Sequence, residues 1–106
     1  MIREICARRG LTYSRRKLLD LAPCQSDPAL MQALQRAAKV QNIEVMNMVS
    51  GAGHDTQQMS LIAPVAMIFV RSRDGRSHTP QEFSTSEDCC AGIRVLAQTL
   101  YELAYT

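Results

Sequence analysis

The apolar positions of this chain recur at two different periods, and the alternation between them sets out the elements. Residues 2–9, "IREICARR", place Ile2, Ile5 and Cys6 at helical spacing, and Gly10 stands where a helix stop is expected. A helix that opens at residue 1 without a cap suggests that the sequence has been cut. "LTYSRRKLLDLAP" carries no helical period and reads as an extended segment closed by Pro23. The spacing then predicts a helix over 27–42. Asp27 is its N-cap, Pro28 occupies the first helical position, Leu30, Leu34, Ala37 and Ala38 form its stripe, and Asn42 ends it. "IEVMNMVS" alternates: Ile43, Val45, Asn47 and Val49 share one side, Glu44, Met46 and Met48 the other. Two faces with few charges predict an interior strand. "TQQMSLIA" is a short helical or irregular piece, and the unbroken apolar run "PVAMIFV" predicts a second strand buried on both faces. A polar stretch, "RSRDGRSHTPQEF", leads to a final helix from about residue 85. There Ser84 and Glu87 fit a capping box, and Cys89, Ile93, Leu96, Ala97, Leu100 and Ala104 form the stripe.

This order of elements predicts an α/β fold, with the two strands as parallel neighbours joined by a crossover through residues 54–62. Composition agrees with a modest globular core: 106 residues are 46% hydrophobic and 21% charged. The longest apolar run, Leu61 to Val70, is about half of what spans a bilayer, and the opening residues lack the apolar region of a secretory signal. A cytoplasmic protein with no membrane partner is therefore expected. The net charge is +2, and Arg3, Arg8, Arg9, Arg15, Arg16 and Lys17 crowd the first segment. Only Tyr13 is aromatic there and no nucleic-acid motif accompanies it, so the cluster reads as a solvated face rather than a nucleic-acid surface. The four cysteines, Cys6, Cys24, Cys89 and Cys90, contain no C-x-x-C pair and are expected to be reduced, mostly packed thiols.

The chemistry lies in the two polar loops. Both histidines, His54 and His78, fall just beyond the ends of the predicted strands, the edge of an α/β sheet at which ligands bind. Gly51-Ala52-Gly53 either makes a tight turn needing positive φ or brings backbone amides to an anion such as a carboxylate. Asp55 caps the short helix after it or takes part in the site. His54 and His78 are loop residues or functional ones, and Glu82 reads as an exposed acid at a helix entry. A catalytic zinc needs about three protein ligands, which these residues do not complete.

The stretch from Met48 to Ala104 resembles the zinc-dependent amidase, hydantoinase and carbamoylase family, which includes allantoate amidohydrolases, N-carbamoyl-L-amino-acid hydrolases and β-alanine synthases. "SGAGHD", "MIFV" and "GRSHTPQE" carry the likeness, the last against a Gly-x-Ser-His-x-Pro-x-Glu pattern. More weakly, residues 5–38 are similar to the end of the family's lid and its return to the catalytic domain. The resemblance implies a metallopeptidase-like catalytic domain, a hydrolase-like sheet with flanking helices, of which this chain is the C-terminal part. Residues 1–22 would close the lid, or dimerisation, domain, and 23–106 would belong to the catalytic domain. It implies a dinuclear zinc or manganese enzyme that cleaves the C–N bond of N-carbamoyl or ureido substrates, as a homo-oligomer. His78 would be a metal ligand, with Ser77 supporting it. Gly51, Ala52, Gly53 and His54 would line the substrate pocket, with Asp55 in support. The remaining ligands and the general base lie outside this chain, so it is expected to hold the metals weakly and to be inactive alone. Arg71, Arg76 and Thr56 depart from the residues common in the family. The alternative is a non-catalytic assembly module that associates through an exposed sheet edge.

Overall fold

The structure, a computed structural model, describes residues 1–105. Its helices are α1 (Ile2–Arg8), α2 (Pro28–Val40), α3 (Asp55–Met59) and α4 (Ser86–Tyr105). Local chemistry explains their ends. The Asp27 carboxylate accepts from the N–H groups of Ala29 and Leu30 at 2.9 Å each, so α2 starts on a charged cap with Pro28 behind it. It stops where Asn42 turns left-handed, with φ 53°. The N–H of Ile43 then reaches the Ala38 carbonyl at 2.9 Å and that of Asn42 reaches Lys39 at 3.1 Å, a Schellman closure built on asparagine. Gly10, at φ 61°, ends α1 by the same pair of bonds, Leu11 to Cys6 and Gly10 to Ala7.

Two predicted caps are corrected. At α4 the box is Thr85 with Asp88, one residue beyond Ser84 and Glu87: Thr85 Oγ1 accepts from the Asp88 N–H at 3.1 Å and donates to its carboxylate at 2.7 Å. At α3 the capping position is His54, and Asp55 is the first helical residue, without a side-chain cap bond. Its negative charge still sits in the first turn, where the helix dipole favours it.

The core lies between α2 and α4. Ala33, Ala37 and Ala38 of α2 are buried with Val95 and Thr99 of α4, and Leu34, Ile43 and Ile68 pack around them. Small side chains let the helices approach closely. The Thr99 hydroxyl is satisfied by the Val95 carbonyl at 2.8 Å. Arg36 and Glu102 pair across the helices at 3.9 Å. This face of α4 is not the one its large apolar residues predicted, but is rotated from it by about a third of a turn. Ile93, Leu96 and Leu100 are exposed, at 63%, 47% and 56%. Ala97, Ala104 and Cys89 are exposed too, and Cys90 with them, so the thiols are less packed than expected.

The expected sheet is also corrected. Residues 43–50 and 64–70 run without helical structure, but no strand is formed among the described residues and no backbone hydrogen bond joins the two segments. A strand is stabilised by its ladder, and neither segment finds a ladder partner among the described residues. Val45, Met46, Met48 and Val49 are consequently exposed. Val65 to Ile68 fare better, half-buried against the helices. Where this segment meets α4 it needs Gly92: a Cβ there would lie 2.8 Å from Val70 Cγ2. The radius of gyration is 19.4 Å, well above the roughly 13 Å of a compact domain of about 100 residues. The apolar pattern therefore exceeds what this chain alone can cover.

Candidate functional site

The two histidine loops lie at the ends of the two apolar segments, as the sequence predicts, and each is held by its own bonds. In the first loop Ser50 is the organiser. Its Oγ lies 2.7 Å from His54 Nε2 and accepts the Ala52 N–H at 3.2 Å. The His54 ring meets the Phe69 ring edge-on, with centroids 6.2 Å apart, which ties this loop to the end of segment 64–70. Neither Gly51 nor Gly53 has a positive φ, which removes the tight-turn explanation for this pair. Gly51 also has open space where a Cβ would stand, whereas a Cβ at Gly53 would meet the end of the Gln57 side chain at 3.4 Å. Within this chain neither backbone strain nor packing requires glycine at 51. The Ala52 N–H is taken by Ser50, leaving the amides of Gly51 and Gly53 as those turned to no hydrogen-bond partner among the described residues.

The second loop is closed at its base by Arg73 and Phe83. The Arg73 N–H donates to the Phe83 carbonyl at 2.8 Å, and its guanidinium stacks over the Phe83 ring at 4.5 Å. Asp74 and Gly75 turn left-handed, with φ 56° and 63°, and Ser72 Oγ donates to the Arg76 carbonyl at 2.5 Å. Arg76 leans on Asp74 at 3.7 Å. At the tip, His78 has φ 58°, a region that side-chain-bearing residues seldom occupy and that costs about 1–2 kcal/mol. Two side chains grip it there. Ser77 Oγ lies 2.9 Å from His78 Nδ1, and the Glu82 carboxylate accepts the His78 N–H at 2.8 Å. The far ring nitrogen, Nε2, has no hydrogen-bond partner among the described residues, and the residue is exposed.

Glu82 makes the contact in this loop that the sequence reading missed. It is not a helix-entry acid but the clasp of the histidine turn. The signal was its spacing, four residues after a histidine in a loop already bent by Gly75 and Pro80.

No hydrogen bond or ring contact joins His54 to His78 among the described residues. Nor does any group of three His, Cys, Asp or Glu side chains there come close enough to hold an ion. With Nδ1 engaged and Nε2 without a hydrogen-bond partner, His78 is suited to be one donor of a set, and no such set is completed among the described residues. No helix among the described residues is long and apolar enough to cross a membrane.

Comparison with known proteins shows what the chain is similar to. Residues 12–102 match the family described as Peptidase family M20/M25/M40. The chain is 41% identical over 100 residues to the N-carbamoyl-L-amino acid amidohydrolase of Geobacillus stearothermophilus, covering 94% of this chain and 24% of that protein. It is 35% identical to the allantoate amidohydrolase of Bacillus subtilis, covering 99% of this chain and 26% of that one. It is also 37% identical to the ureidoglycolate hydrolase of Oryza sativa subsp. japonica, covering 95% of this chain and 21% of the relative. The chain therefore spans about a quarter of the length of the curated relatives it matches.

Proposed function

The chain belongs to peptidase family M20/M25/M40, and from that membership we propose that it supplies one metal ligand and one substrate loop to an amidohydrolase. The reaction is cleavage of the C–N bond of N-carbamoyl or ureido substrates, the compounds named by its relatives. His78 is the ligand, through Nε2. The observation that carries this reading is the grip on His78: a strained residue with one ring nitrogen engaged and the other open. A pair of zinc or manganese ions held in part by His78 would supply Lewis acidity for ionising a water and polarising the scissile carbonyl.

The residues of this chain then have separate tasks. Ser77 orients the His78 ring. Gly51 and Gly53 offer backbone N–H groups to the substrate carboxylate, and the bare Cα of Gly51 lets it approach. His54, anchored on Ser50 and Phe69, walls the pocket, while Asp55 begins the helix that follows it. Residues 1–22 belong to a lid or dimerisation region and 23–106 to the catalytic domain of a cytoplasmic homo-oligomer.

By itself the chain is inactive. The test is a chimera in which this chain replaces the matched stretch of the Geobacillus stearothermophilus relative. Metal-dependent hydrolysis of N-carbamoyl amino acids by the chimera, and none by the isolated chain, is the expected result. Sustained turnover by the purified chain alone would overturn it.

The unpaired apolar segment 45–49 favours a second reading, a non-catalytic assembly module. That reading requires the isolated chain to associate, and a monomeric mass in solution contradicts it.

A further inference from the structure

Resting on the assignment of His78 as a ligand, we propose that Ser77 and Glu82 are positioning residues that preset this histidine before any metal arrives. Ser77 fixes the tautomer and Glu82 fixes the backbone. A neutral imidazole has one bare nitrogen and one that carries hydrogen, and only the bare one coordinates. Ser77 Oγ lies 2.9 Å from Nδ1, where a hydroxyl can accept as well as donate. In the proposed arrangement it accepts the Nδ1–H and so leaves the lone pair on Nε2, which has no hydrogen-bond partner among the described residues. In free histidine the balance runs the other way, with hydrogen mainly on Nε2, so the serine contact inverts the ring for ligation.

The backbone needs its own clasp. At φ 58° His78 sits in the left-handed region, and relaxation to ordinary φ would swing the imidazole away. The Glu82 carboxylate holds the His78 N–H at 2.8 Å, and the Glu82 N–H donates in turn to the Thr79 carbonyl at 3.0 Å, which closes the turn. The base of the loop is independently locked by Arg73 and Phe83. Both clasps lie on an exposed loop outside the α2–α4 core, so removing them leaves the core standing.

The test is nitrogen-15 spectroscopy of the His78 ring, with backbone couplings that separate positive from negative φ, on the full chain at a pH where the ring is neutral. The unmodified chain is expected to carry hydrogen mainly on Nδ1 of His78, at positive φ. Ser77→Ala reverts the ring to the Nε2–H form and keeps the positive φ. Glu82→Ala loses the positive φ, and Glu82→Gln, whose amide oxygen still accepts the N–H, restores it. The same tautomer and couplings in all four proteins would overturn the proposal. In the chimera, Ser77→Ala and Glu82→Ala should weaken metal affinity by roughly 10–100-fold while Glu82→Gln does not. Unchanged affinity in an active chimera likewise counts against it. An inactive chimera would instead strike the amidohydrolase reading, without altering what the His78 ring and couplings report.

Discussion

The two histidines are held in opposite ways. His54 turns its Nε2 to Ser50 and lays its ring edge-on against Phe69, which ties it to the neighbouring apolar segment. His78 spends Nδ1 on Ser77 and holds a left-handed backbone through Glu82, while its Nε2 has no hydrogen-bond partner among the described residues. One ring packs against an aromatic neighbour, and the other stands on an exposed loop. Two histidines in similar loops thus differ in which ring nitrogen the neighbouring serine occupies.

Substitutions in the chimera can break this contrast. The largest effect is expected from His78→Ala, which should take hydrolysis to background and remove a metal ion. His54→Ala should leave the metal content intact and act mainly on KM. Equal metal loss from the two would erase the distinction. Gly51→Ala comes next: at an ordinary φ with open space around it, the methyl group should leave helicity and melting unchanged while raising KM for carboxylate-bearing substrates. A fall in melting temperature with no change in KM would make that glycine structural after all. The smallest effects fall on the scaffold. Gly92→Ala gains helix propensity but drives a methyl group into stiff Val70, for a net loss of about 1 kcal/mol read by denaturant unfolding. Asn42→Ala should cost a similar amount, about 1 kcal/mol, because alanine tolerates the left-handed closure of α2 poorly.

Much of the local structure was legible in the residues. Asp27–Pro28 and Asn42 bracket α2 as their chemistry predicts, and Gly10 ends α1. The failures share one cause. Large apolar side chains signal burial, but the partner that buries them need not lie in the same chain. Ile93, Leu96 and Leu100 predicted the packed face of α4, while Val95 and Thr99 are what is buried with the alanines of α2. Segments 43–50 and 64–70 have the composition of interior strands, but a ladder needs a neighbour and none is present here. The site divides along the same line. His54 and His78 announced themselves by type and position. The roles of Ser50 and Glu82 depend on side chains folding back over four residues, which no periodicity encodes.

The most direct measurement is the metal content of the chimera after dialysis, with and without His78. About two ions per active site are expected in the unmodified chimera, falling when His78 becomes alanine and unchanged when His54 does. An identical metal content in all three proteins would contradict the assignment of His78 as a ligand.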